Sequence, residues 1–133
     1  MSTIDNAVND QFYPWVSVGP DGRVSVGYMD RSFSSGQNVC QYGFAVTQVV
    51  FAPNGKLAKT KTRVDTGLSD PGHSRWFSAS TNGNGRFIGD YNGTAVGSTG
   101  AIWSLWTDQR ALVANPPSPT RTHGQHAVGA RLP

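Results

Sequence analysis

Residues 86–110 read R-F-I-G-D-Y-N-G-T-A-V-G-S-T-G-A-I-W-S-L-W-T-D-Q-R, and the prediction of the architecture begins with them. They contain two apolar runs, residues 87–96 and 101–107, on either side of the turn sequence G-S-T-G. Short apolar runs separated by a Gly-rich turn are typical of a β-hairpin. Apolar side chains occupy both alternating sets of positions, so we expect this hairpin to be buried on both faces.

The composition of the chain favours a single all-β domain. Its 133 residues can bury one modest core. Gly contributes 16 residues and Pro contributes 8, which favours short strands joined by turns. No apolar pattern of helical period extends over about 11 residues.

Four strands are predicted before this hairpin. Residues 12–18 and 23–30 flank the turn G-P-D-G, and a long strand follows at residues 41–52. Residues 57–64 alternate polar with small or apolar side chains, as a water-facing edge strand does. Pro14 lacks a backbone donor, which places the first strand at a sheet edge or starts it at the next residue. We expect a four-stranded antiparallel meander.

A weak internal repeat connects the two regions. V-S-V-G-Y-M-D at residues 24–30 matches I-W-S-L-W-T-D at residues 102–108 in length, in its position after a Gly turn and in its final Asp. Arg31 and Arg110 follow shortly after these aspartates. The two strands are therefore predicted to be equivalent members of two similar sheets.

Meanders that are apolar on both faces must be covered on both faces, and stacked β-propeller blades satisfy this requirement. We predict about two blades of a propeller, and about 4–8 blades close such a ring. The predicted divisions are a polar lead-in (1–11), a first blade (12–64), a linker loop (65–75) and a second, partly complete blade (76–133) with a Pro-rich loop (111–122).

Residues 10–31, 86–93 and 106–110 resemble the sialidase-type (BNR-repeat, exo-α-sialidase-like) propellers. In that family a strand ending in Asp-Arg and a G-D-Y hairpin recur. The family's Asp-box, S-x-D-x-G-x-T-W, is not intact, because the equivalent turn reads V-F-A-P-N-G-K-L. The resemblance implies the C-terminal blades of a six-bladed propeller. The other blades would come from the parent chain or from homo-oligomerisation, since three copies of two blades would close the ring.

The resemblance also implies glycan recognition and a catalytic set. That set is a Tyr nucleophile activated by a Glu, an Asp acid/base and three Arg residues that clamp a carboxylate. The chain contains no Glu, so we expect no catalysis from it alone and assign no catalytic residue. The alternative function is a non-catalytic, lectin-like or structural propeller module completed by oligomerisation.

Seven residues are the candidates for ligand binding. The Asp-Arg strand ends could line a funnel for acidic sugars, or each Asp could bond backbone amides while the Arg bridges blades. Asp90 and Tyr91 lie between glycines, which would let a ligand approach the backbone. Tryptophans could stack on sugars or fill the core. The candidates are Asp30, Arg31, Trp76, Asp90, Tyr91, Asp108 and Arg110.

Several other classes are not expected. The three lysines fall in one short segment, which indicates a solvated hairpin and not a basic stripe for nucleic acid. His123 and His126, with His73 distant in sequence, make a weak metal signal, and we expect neither metal nor cofactor. Cys40 is the single cysteine, so no intrachain disulfide forms. We find no membrane span and no signal peptide, although the family resemblance suggests a secreted or extracytoplasmic parent.

Overall fold

The structure is a computed structural model that describes Asp5 and residues 9–34, 41–73, 91–112, 114 and 123–133. In this part of the chain seven strands form two antiparallel sheets, accompanied by the short 3-10 turns Arg31–Phe33 and Pro71–His73. The all-β prediction is confirmed. Neither of the described helical turns has the length or apolar content to cross a membrane.

The first sheet is the expected four-stranded meander, with spatial order β1-β2-β3-β4. Each strand pairs antiparallel with the strand that precedes it. The strands are β1 (Gln11–Val18), β2 (Val24–Asp30), β3 (Gly43–Phe51) and β4 (Leu57–Arg63). Tyr42 extends β3 by one isolated bridge to Ser69, so the segment after β4 returns to the sheet instead of leaving it.

The second sheet has three described strands in the order β5-β6-β7. They are β5 (Gly93–Val96), β6 (Ile102–Asp108) and β7 (His126–Leu132). The turn and last strand of the expected hairpin and the final strand of the chain are confirmed. Residues 87–90, the expected strand at residues 76–80 and Cys40 lie outside the described residues.

The same four-residue turn connects three of these hairpins. In each turn the N–H of the fourth residue donates to the carbonyl of the first, over 2.9–3.0 Å. The fourth residue is always a glycine with positive φ, a region that other residues avoid. These glycines are Gly22 (φ 78), Gly55 (φ 75) and Gly100 (φ 84).

The two sheets pack face to face around an apolar cluster. Phe44 of β3 stacks on Trp106 of β6, with ring centroids 4.8 Å apart and planes inclined by 11°. The hydroxyl of Tyr42 donates to the carbonyl of Thr107 over 3.0 Å. The buried side chains of this cluster are Met29, Tyr42, Phe44, Val46, Ile102 and Trp106. We call the two sheet faces that meet here the inner faces, and their opposite sides the outer faces.

Of the burial expected on both faces of the second hairpin, the described chain alone shows one face of β6. Ile102, Trp106 and their same-face neighbours are buried, whereas Trp103 is 56% exposed and Leu105 is 60% exposed. Successive side chains of a strand point to opposite faces, so the inner face is covered and the outer face is open. Apolar residues at both sets of alternating positions therefore did not predict which face of the strand is covered.

β1 is an edge strand with an irregular start, as Pro14 predicts. Its pairing with β2 shifts register between Phe12 and Trp15. Tyr13, within this shift, has φ 54, an unusual value for a residue other than glycine. The irregularity removes Pro14 from the ladder without disturbing the rest of the strand.

Candidate functional site

Two strands of different sheets end in the same way. β2 ends at Asp30, whose Oδ1 accepts a hydrogen bond from the N–H of Ser32 over 2.7 Å. β6 ends at Asp108, whose Oδ1 accepts from the N–H of Arg110 over 2.9 Å. In both cases the carboxylate bonds the amide two residues later and stops the ladder. The structure therefore reproduces the internal repeat at the level of these strand ends.

Asp30 is fully buried and forms an ion pair with Lys61 of β4. The Lys61 ammonium also reaches Asp5 over 2.6 Å and lies 5.0 Å from the centroid of the Phe33 ring. Burial raises the pKa of the Asp30 carboxyl, but hydrogen bonds from Lys61 and Ser32 outweigh this effect and lower the pKa. The neighbouring Arg31 pairs with Asp10 over 2.6 Å instead of with Asp30.

Arg110 is held by the carboxylate that ends its own strand. Its Nε and Nη2 bond the Asp108 Oδ2 over 2.7 and 2.6 Å, and its Nη1 donates to Thr66 over 2.9 Å. The hydrogen bond to Asp108 raises the pKa of the Arg110 guanidinium despite partial burial. Two nitrogens of this guanidinium thus already bond one carboxylate oxygen, and a ligand carboxylate would have to compete with Asp108 for them.

The segment that follows β4 makes contacts near the ends of both β2 and β6. Asp65 accepts from the N–H of Phe44 over 2.9 Å, near the end of β2, and Thr66 contacts Arg110. This segment therefore borders the ends of both strands. The contacts of the candidate residues there favour the structural interpretation over the funnel, and the role of these residues in ligand binding stays a prediction.

Tyr91 lies at a pocket of about 410 Å³ on the outer face of the second sheet. Its side chain is 79% exposed. Gly93 contributes no side chain, and a Cβ added there would have no atom within 4 Å, so the pocket opens above it. We call this site the Tyr91 pocket; it is lined by Tyr91, Asn92, Gly93, Leu105, Trp106, Thr107, Gln125, His126 and Ala127.

Polar side chains accompany the aromatic ring in the Tyr91 pocket. Asn92 is buried and donates from Nδ2 to the carbonyl of Tyr13. Within the described residues the Asn92 Oδ1 is buried and has no hydrogen-bond partner, which is costly for an amide oxygen. Thr107, Gln125 and His126 add a hydroxyl, an amide and an imidazole to the lining. The pocket thus combines an aromatic surface with donors and acceptors, as small-molecule sites do.

Sequence reasoning selected Tyr91 but missed Leu105, Thr107 and His126. Leu105 and Thr107 belong to β6, which pairs with the strand of Gly93, and His126 belongs to β7, which pairs with the other side of β6. The strand register would have found them, because Gly93 pairs with Leu105 and Asp108 pairs with His126. Asp90 and Trp76, the other two candidates, lie outside the described residues.

The comparisons with known proteins give no further information. No protein-family model matches the chain. No curated protein and no solved structure matches it either. In the described part of the chain, no group of three or more His, Cys, Asp or Glu side chains is arranged to hold a metal ion. The sialidase-like resemblance therefore stays a prediction.

Proposed function

We propose that the chain is a glycan-recognising part of a sialidase-like β-propeller, and that it binds sugars without hydrolysing them. The Tyr91 pocket carries this proposal. An exposed tyrosine ring beside amide, hydroxyl and imidazole groups fits the two chemical features of a sugar, an apolar ring face and a rim of hydroxyls. The absence of Glu from the sequence supports binding without the catalytic set that the resemblance implies.

The charges of the site favour neutral sugars over acidic ones. The described lining of the Tyr91 pocket includes neither Lys nor Arg. Arg31 and Arg110, the candidates for clamping a carboxylate, are engaged with Asp10 and Asp108. A sugar carboxylate would have to displace a charge pair that is already formed, whereas a neutral sugar needs only hydrogen bonds and ring contact.

A glycan array followed by calorimetry of the bound sugars tests this proposal. Gly93→Phe fills the pocket, because the glycine lies in open space and needs no positive φ, and we expect it to abolish binding. Tyr91→Ala should weaken binding about 10-fold or more, while Tyr91→Phe keeps the ring and most of the affinity. Gly93→Ala is the matched control and should bind.

Two results would contradict the proposal. One is an array on which no neutral glycan binds, or on which binding survives Gly93→Phe. The other is release of the fluorophore from a fluorogenic sialoside by the purified chain, which would replace the non-catalytic function with a catalytic one.

A second candidate is a structural propeller module completed by further copies of the chain. Its support is the exposed apolar side chains on the outer faces, Trp103 and Leu105 on the second sheet and Val16, Val18 and Phe51 on the first. At the centre of the first sheet's outer face a cluster of Val26, Tyr28 and Ala45 is already buried, so only the outer strands there need covering. Further blades would cover these side chains. Light scattering after size-exclusion chromatography tests this candidate. A trimer mass supports it, and a folded monomer at high concentration rejects it.

A further inference from the structure

Two histidines from distant parts of the sequence lie side by side near the junction of the sheets. His73 ends the 3-10 turn Pro71–His73, and His123 lies shortly before β7. The N–H of His123 donates to the carbonyl of His73 over 3.0 Å. The next residue, Gly124, donates to the carbonyl of Ala111 over 2.8 Å, so the backbone on this side is held at two points. The ring centroids are 5.7 Å apart and the planes are inclined by 55°.

This separation matches two imidazoles that share a metal ion. With Zn–N bonds of about 2.0–2.1 Å and angles near tetrahedral, two such rings have centroids roughly 5–6 Å apart. A stacked aromatic pair would lie more nearly parallel or edge-on.

Asp70 fixes the orientation of the first ring. Its Oδ2 lies 3.1 Å from the Nδ1 of His73. The carboxylate is held in turn by the Nε2 of Gln41 over 3.2 Å and by the N–H of Gly72 over 2.8 Å. When Nδ1 carries the proton shared with a carboxylate, the lone pair of a neutral imidazole is on Nε2. A carboxylate behind a metal-binding histidine is the usual support of such a ligand.

We propose that His73 and His123 bind one divalent transition-metal ion, with zinc as the reference ion, and that Asp70 positions the His73 ring. His73 binds through Nε2 and His123 through one ring nitrogen, while water or another oxygen ligand completes the coordination. The ion joins the segment after β4 to the segment before β7 and so links the two sheets. Neither histidine lines the Tyr91 pocket, so the proposed metal site is distinct from the proposed sugar site.

Zinc titration of the untagged protein at neutral pH tests the site, by calorimetry and by the shifts of the histidine ring resonances. We expect one zinc ion per chain, and affinity in the micromolar range because only two protein ligands hold it. At free zinc about 100 times the Kd, the Tm should rise by roughly 10 °C. Cu²⁺ should bind more tightly than zinc, because imidazole ligands generally have a higher affinity for Cu²⁺ than for Zn²⁺.

The variants separate metal ligands from packing partners. His73→Phe and His123→Phe each keep a ring and should abolish the zinc-dependent rise in Tm. His126→Phe removes the third histidine and should leave the rise unchanged. Asp70→Asn should lower the affinity about 10-fold or more, because a positioning partner is lost. Absence of zinc binding, or binding that persists in both His73→Phe and His123→Phe, would overturn the proposal.

Discussion

Gly27 lies where the second sheet packs tightly against the first. A Cβ at this position of β2 would collide with the Oγ1 of Thr94 in β5 and lie 3.1 Å from the Cζ of Phe44. Nearby, the Oγ of Ser17 accepts a hydrogen bond from the N–H of Val96 over 3.1 Å. The side-chain hydroxyls and the missing Cβ together allow the short approach of the two sheets at this point.

Gly27→Ala should lower the free energy of unfolding by about 1–3 kcal/mol, because the added methyl group forces the sheets apart. Gly93→Ala places the same methyl group in open space within β5, where we expect a change of about 0.5 kcal/mol or less. Urea denaturation of the two variants gives the comparison. Equal effects would show that the spacing at Gly27 does not limit stability.

The contribution of the Asp30–Lys61 ion pair to stability should also be measurable by substitution. Lys61→Met leaves the fully buried Asp30 without its cation and should cost about 2–3 kcal/mol, less than the ~3–5 kcal/mol of fully buried pairs because Lys61 is partly exposed. Lys56→Met, on the exposed turn immediately before β4, is the control and should change stability by about 0.5 kcal/mol or less. In the Asp30→Asn background, Lys61→Met should lower the free energy of unfolding much less, because no buried carboxylate is left without its cation.

The same carboxylate predicts how stability depends on pH. The pKa of Asp30 is lower in the folded protein than in the unfolded chain. Its contribution is therefore complete above the unfolded pKa of about 3.9 and is lost as the pH falls through the folded pKa. We expect denaturation curves of Asp30→Asn to lose less stability than the wild type in this acidic range. Parallel curves would contradict the assignment.

At the scale of elements, the turns were the most predictable feature. Each hairpin turn needs a glycine at a backbone conformation that few residues adopt, so the sequence marks the position directly. The exposure of Trp103 and Leu105 could not be predicted in this way. Whether the second face of β6 is covered depends on what packs against it. The hydrophobic pattern of the strand does not identify that partner.

Trp106 and Trp103 offer a direct test of this difference between two faces of one strand. Trp106→Ala should lower the free energy of unfolding by about 3–5 kcal/mol, because it removes the ring that stacks on Phe44. Trp103→Ala removes a ring that is 56% exposed, and the expected loss is about 1 kcal/mol or less. Thermal or chemical denaturation measures both. A large loss for Trp103→Ala in the isolated chain would mean that its outer face is covered.

At the scale of the whole molecule, the partners of charged residues could not be predicted from the sequence. Asp30 stands next to Arg31 in the chain, yet it pairs with Lys61 from a strand two positions away in the sheet. Arg31 begins the 3-10 turn after the strand and pairs with Asp10, so adjacency in sequence does not decide which charges meet. His73 and His123, by contrast, are distant in sequence but lie side by side, because the fold brings their two segments together.

Leu105 distinguishes the two candidate functions of the molecule, because it lines the Tyr91 pocket and also belongs to the open outer face. Leu105→Arg should abolish glycan binding with an unchanged molecular mass if the pocket is the site. The same variant should reduce a trimer to a monomer if the face is an assembly surface. Calorimetry and light scattering on one preparation measure both outcomes, and a variant that binds and assembles like the wild type would contradict both candidates.

The irregular start of β1 affects how the protein avoids aggregation. Pro14 offers no N–H to an incoming strand, and the bend at Tyr13 interrupts the row of backbone groups along this border. On the opposite border, β4 carries Lys59 and Lys61, whose charges oppose the addition of an identical strand. Both borders of the first sheet therefore resist fibril-like growth. Concentrated solutions of the folded protein should associate through sheet faces, without seeding cross-β polymers from this sheet.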